Sequence, residues 1–123
     1  MNRKILIIDG HPVYIHKLES FFEGLAYKNI QLAKSGKEGL AKAESFRPDL
    51  ILLSGMLADM ESHEVCRRVK EILNSVRVIV QTGFLTEEAG IAKFKELGAD
   101  AVLPRKEKDW APLQEAALRL TAA

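Results

Sequence analysis

Three short apolar runs constrain this chain more than any other feature: KILII at Lys4–Ile8, DLILLS at Asp49–Ser54 and VRVIVQT at Val76–Thr82. Their apolar residues are consecutive rather than alternating with polar ones, the pattern of strands covered on both faces. IQLAKS (Ile30–Ser35) and DAVLP (Asp100–Pro104) are weaker versions of the same signal, as outer strands would be. A proline at Pro104 is tolerable at an edge strand or a strand end, where no ladder N–H is needed.

Helical signals fill the intervals. Leu18, Phe21, Phe22 and Leu25 fall on one face of a helix, and Val65, Val69, Ile72 and Leu73 on another. Gly36–Phe46 is alanine-rich and stopped by Pro48. Thr86 reads as an N-cap followed by Glu87 and Glu88, with Gly98 closing that helix. Asp109 is the expected start of a last helix that turns Leu113, Ala116, Ala117 and Leu120 inward. Strand and helix alternate five times, the rhythm of right-handed βαβ units, so the expected class is α/β: a doubly wound, parallel five-stranded sheet with helices on both faces. The 123 residues suit one domain, residues 1–123.

In such a sheet chemistry gathers beyond the carboxyl ends of the strands. That places Asp9 and Gly10, Ser54 and Gly55, Thr82 and Gly83, and Pro104 and Arg105 together. Ser54 stands at a strand exit, but a serine hydroxyl needs a base to become a nucleophile. Asp9 is the one nearby candidate base, and His11, His16 and His63 are scattered, with His11 expected as a water-exposed loop residue. The context LLSGM lacks the first glycine of a G-x-S-x-G elbow. Neither an enzyme nor a metal centre is expected.

The formal charge of +1 gives no general attraction to nucleic acid or anionic lipid, and no groove-reading element or basic arm is apparent. MNRKILIIDG has too few apolar residues for a signal-peptide core or a membrane span, so the expected location is the cytoplasm. Cys66, the single cysteine, lies near the apolar side of an amphipathic stretch and reads as structural.

The segments KILIIDGHP, FRPDLILLSGMLADMESHEVCRRVK, VRVIVQTG and LGADAVLPRK, in this order and spacing, resemble the receiver domain of two-component response regulators. The resemblance implies a flavodoxin-like (βα)5 fold with strand order 2-1-3-4-5. It also implies a site made of paired acids after the first strand, a phosphorylated aspartate after the third, Thr or Ser after the fourth and a lysine after the fifth. Asp9 and Thr82 match that pattern. Gly10 stands at the second acid, Ser54 at the acceptor aspartate and Arg105 at the lysine, with Lys106 in place of the following proline. Val102 replaces the usual aromatic switch residue, Ala58 a proline, and Glu61 and Ser62 an Asp-Gly pair.

Phosphoryl transfer in that family needs the acceptor carboxylate and Mg²⁺ together, and Asp9 alone is a poor site for a cation that demands several oxygen ligands. Removing two carboxylates leaves Asp9 facing Arg105, a pair that is neutral without metal. Arg105 is therefore expected to reach Asp9, with bidentate geometry available to it, and to close the pocket. The expected function is a degenerate, phosphorylation-independent receiver acting on a signalling protein partner. Phe84, Val102, Lys106 and Trp110 are its candidate contacts, and a homodimer through the fourth helix, fifth strand and fifth helix is possible by resemblance. Two alternatives stand beside it: a small-anion or ligand sensor built on Ser54, Thr82, Gly83 and Arg105, and a receiver phosphorylated on another carboxylate such as Asp59.

Overall fold

The structure is a computed structural model and describes residues 2–83, 88–106 and 108–122. Five strands alternate with five helices: β1 Lys4–Ile8, α1 Tyr14–Gly24, β2 Asn29–Ala33, α2 Gly36–Phe46, β3 Leu50–Ser54, α3 Ser62–Ile72, β4 Arg77–Thr82, α4 Glu88–Glu96, β5 Ala101–Pro104 and α5 Ala111–Leu120. All pairings are parallel and the order is β2-β1-β3-β4-β5, so the expected doubly wound sheet is the observed one. β5 is an edge strand, as Pro104 requires.

Alternate residues of each strand go to opposite layers. Leu6, Ile8, Ile51, Leu53, Val78 and Val80 pack with Ala43 of α2, Val65, Cys66 and Val69 of α3 and Phe94 of α4. Ile5, Ile7, Leu50, Leu52 and Ile79 pack with Ile15, Leu18 and Phe22 of α1 and Leu113, Ala116 and Ala117 of α5. The central strands are thus buried from both sides, which is why their sequences carry no polar alternation. A Cβ on Gly39 would lie 2.6 Å from Ile8 Cδ1, so the glycine sets how closely α2 approaches the sheet.

Helix ends follow local chemistry. Ser35, expected in a strand, instead caps α2: its Oγ accepts from Glu38 N (3.1 Å), and Glu38 reaches back to Lys34 N (2.6 Å). Gly98, at φ +106°, closes α4 in a Schellman arrangement, with Ala99 N on Phe94 O and Gly98 N on Lys95 O. α1 closes the same way, but with Ala26 at φ +71° in the left-handed position. The expected start of α5 at Asp109 is corrected: the helix begins at Ala111 with Pro112 in its first turn, and Asp109 Oδ1 accepts from Ala111 N (3.3 Å) ahead of it. Thr86 and Glu87 lie outside the described residues. Among those described, no helix is long and apolar enough to cross a membrane.

Candidate functional site

At the carboxyl end of the sheet, β1 delivers Asp9, held by its N–H on Ala33 O (3.0 Å) and almost wholly buried. Its two carboxylate oxygens have different partners: Oδ1 accepts from His11 N (2.9 Å) and Oδ2 from Arg105 Nη2. Arg105 is anchored at the exit of β5 by its own N–H on Thr82 O (2.8 Å). Its guanidinium also lies over Tyr14, with Cζ 3.9 Å from the ring centroid. Arg105 therefore does reach Asp9, but through one oxygen rather than two. The second oxygen is already committed to the turn that starts α1.

The ion pair does not close the pocket. A cavity of about 490 Å³ remains, lined by Asp9, Gly10, His11, Pro12, Ser54, Met56, Ala58, Gly83 and Arg105. Ser54 contributes a hydroxyl that is used locally: Oγ donates to Met56 O (2.9 Å) and accepts from Met56 N (3.3 Å). Its proton is thus directed at a carbonyl, not at a base. Thr82 is buried and is not one of the residues that line this cavity. At Gly10 an added Cβ would lie 3.3 Å from Lys34 O, a tight contact that a side chain could occupy only if this backbone carbonyl gave by a few tenths of an ångström.

His11 is exposed, as expected, yet it has a structural task. Its Nδ1 accepts from Val13 N (3.2 Å) and Tyr14 N (3.0 Å), capping the first turn of α1. Asp59 is likewise committed: Oδ1 accepts from Gly36 N (2.9 Å) and Oδ2 from Lys37 N (3.0 Å), capping α2 from a distant loop. The N–H groups of Lys37 and Gly36 hold its carboxyl below the usual range. Neither cap has a periodic signal in sequence: His11 meets N–H groups two and three positions on, within one turn, and Asp59 meets backbone that only the fold brings near.

The candidate partner contacts divide. Lys106 is exposed. Val102 is half-buried against the layer that holds Phe94 and Ala99. Trp110 packs inward on α1, with centroids 4.8 Å from Phe21 and 5.7 Å from Tyr14, so much of its ring is already used inside the molecule. Phe84 lies outside the described residues. Cys66 is buried beneath α4, and burial pushes its thiol up to about 11. His63 stacks on Phe94 (3.8 Å between centroids) and belongs to the α3–α4 contact.

Mg²⁺ chemistry of the receiver kind does not fit these residues. Among the described residues Asp9 is the one carboxylate in the cavity wall, and both its oxygens are occupied. Among the described residues no group of three or more His, Cys, Asp or Glu could hold a metal ion.

The sheet order, and an acidic residue, a hydroxyl and a cation at the exits of β1, β3 and β5, define a receiver-type α/β domain. The chain belongs to the response regulator receiver domain family, whose pattern it matches over residues 5–117. It is 34% identical over 100 residues to the alkaline phosphatase synthesis transcriptional regulatory protein PhoP of Bacillus subtilis, covering 81% of this chain and 41% of that protein. It is 28% identical over 106 residues to the response regulator protein VraR of Staphylococcus aureus, covering 84% and 49% respectively. The chain therefore spans about half the length, or less, of these relatives. Among solved structures it resembles the signal receiver domain of a DNA-binding response regulator protein (merR) from Colwellia psychrerythraea 34H, with TM-score 0.90 and 25% identity, over 99% of this chain and 100% of that one.

Proposed function

We propose that this chain is a degenerate receiver that takes no phosphoryl group in the usual way and signals by contact with a protein partner. One observation carries the reading: Arg105 donates to Asp9 while Ser54, in the place of the acceptor aspartate, turns its hydroxyl onto Met56. The first feature supplies the pocket's positive charge from the protein itself. The second leaves no carboxylate oxygen where phosphorus would be attacked, and a hydroxyl directed at a carbonyl has no base to activate it.

Val102 in place of a ring that could relocate, and Lys106 in place of a proline, further support a fold held in one state. In this reading the partner, or a second copy of the chain, meets the α4–β5–α5 face, with exposed Lys106 as a contact. Trp110 shapes that face from behind through its packing on Phe21 rather than by inserting into a partner.

The geometry gives less support to the alternatives. Phosphorylation at Asp59 would require that carboxylate to leave the two N–H groups it caps. An anion in the cavity would meet the Asp9 carboxylate, and the Ser54 hydroxyl and Arg105 Nη2 already have acceptors. Incubation with acetyl phosphate and Mg²⁺ followed by intact mass tests the reading. An unchanged mass is expected, and a stoichiometric phosphoryl adduct would overturn it.

A further inference from the structure

We propose that the cavity beyond β1 and β3 binds a small, uncharged and largely apolar organic molecule. It lies at the topological switch of the sheet. From β1 the chain passes to α1 on one face, from the neighbouring β3 to α3 on the other, and a crevice opens between the two departures. Its volume of about 490 Å³ is that of a small-molecule site.

The chemistry of the walls selects the ligand. Asp9 and Arg105 contribute one charge each and are paired with one another, so the site has no net charge to offer. An anion would face Asp9 and a cation would face Arg105, and either must disrupt that pair to be compensated. Of the other polar side-chain atoms, Asp9 Oδ1 is engaged by His11 N and Ser54 Oγ by Met56 N and O, while Arg105 Nε is buried without a hydrogen-bond partner among the described residues. Pro12, Met56 and Ala58 then dominate what a ligand can touch.

The surface around the opening points the same way. Among the described residues the large apolar side chains left exposed are Met56, at 68%, and Val13, at 58%. Met56 is in the cavity wall and Val13 follows Pro12, another wall residue. Covering them removes apolar surface from water, and a methionine adapts its shape to what it covers. Met56, the more exposed of the two, thus offers its apolar surface to the charge-neutral cavity.

This inference rests on the reading that the pocket takes neither phosphoryl group nor metal, and its test separates the two. The ¹⁵N-labelled chain is titrated with N-phenyl-1-naphthylamine, a neutral aromatic probe, and amide shifts are followed by NMR. Saturable shifts are expected at Gly10, His11, Ser54, Met56, Ala58 and Gly83, unchanged by competing inorganic phosphate. Met56→Lys, at an exposed position that folding does not depend on, should weaken the probe roughly tenfold or more. Ala58→Trp should block it by filling the space.

Absence of saturable shifts, shifts centred on α4 and α5, displacement by phosphate, or an affinity indifferent to Met56→Lys would each overturn the proposal. So would a partner protein that protects these same amides while the probe binds nowhere, since the cavity would then be a docking socket. A phosphoryl adduct in the mass experiment defeats the underlying reading as well, whereas no adduct and no probe binding defeats this inference alone.

Discussion

Arg105 lies over the ring of Tyr14, 3.9 Å from Cζ to centroid, while the same guanidinium donates to Asp9. One side chain thereby joins the exit of β5, the first turn of α1 and the end of β1. The Asp9 side chain is only 3% exposed and that of Arg105 20%, so the pair is poorly screened. Arg105→Ala leaves a buried carboxylate without its counter-charge and should cost about 3 kcal/mol in urea unfolding. Asp9→Asn in the Arg105→Ala background should recover part of that loss. A single variant no less stable than wild type would show that the pair contributes nothing.

Arg105→Lys separates charge from shape. A lysine keeps the positive charge but loses the planar group that stacks on Tyr14 while reaching Asp9. The expected loss is about 1 kcal/mol, the scale of a partly desolvated cation–π contact. Tyr14→Leu should then cost less in the lysine background than in wild type. Additive losses in the four-member cycle would mean that the stacking carries no energy.

These contacts show what a linear reading reaches and where it stops. Strands β1, β3 and β4 are legible because a strand buried on both faces must be apolar throughout, and Asp9 and Arg105 follow from strand ends. The inward turn of Trp110 was not legible. A large ring at a helix start looks alike whether it meets a partner or, as here, Phe21 of a helix about ninety positions earlier. Nor was the work of Asp59, whose carboxylate meets backbone N–H groups that only the folded chain brings within reach, or of His11, whose ring caps the turn that follows it although histidine is not among the preferred capping residues. Asp109 misled for a related reason: it binds the N–H of Ala111 in a turn, and Pro112 sets where the helix starts.

Asp100 should make stability depend on acid pH. Burial pushes its carboxyl up, but the hydrogen bond from Lys70 Nζ (2.9 Å), that from Val78 N (2.8 Å) and the nearby charges outweigh this, leaving it below the ordinary 3.8. A lowered folded pKa means the contribution is present above about pH 3.8 and fades as pH falls through the folded value. Asp100→Asn should therefore cost about 1–2 kcal/mol near neutrality. The gap to wild type should narrow below pH 3.8. A gap that is constant from neutral to acid pH would remove the linkage.

Cys66 should be silent in the folded protein. Its buried thiol, pushed up to about 11, is overwhelmingly protonated at pH 8, and the thiolate is the reactive form. A disulfide reagent such as dithiobis(nitrobenzoate) should modify it only at the rate of unfolding, and fully in denaturant. Rapid modification of the native chain would contradict the packing seen beneath α4.

Restoring carboxylates should restore a need for metal. Gly10→Asp with Ser54→Asp places two further acids beside Asp9, the first requiring the Lys34 carbonyl, 3.3 Å from an added Cβ, to give by a few tenths of an ångström. Arg105 can offset one of the three negative charges, so the double variant without metal should be less stable than wild type through like-charge repulsion. Mg²⁺ would now find several oxygens in one crevice, the ligand set it requires. At a concentration about ten times its Kd it should raise stability by about 1.4 kcal/mol, readable as a rise in Tm of a few degrees. Wild type, with Asp9 taken by Arg105 and His11, should not respond. Equal responses in both proteins would locate the metal effect elsewhere. A response in the double variant alone would show that the scaffold still supports the chemistry whose charges it lacks.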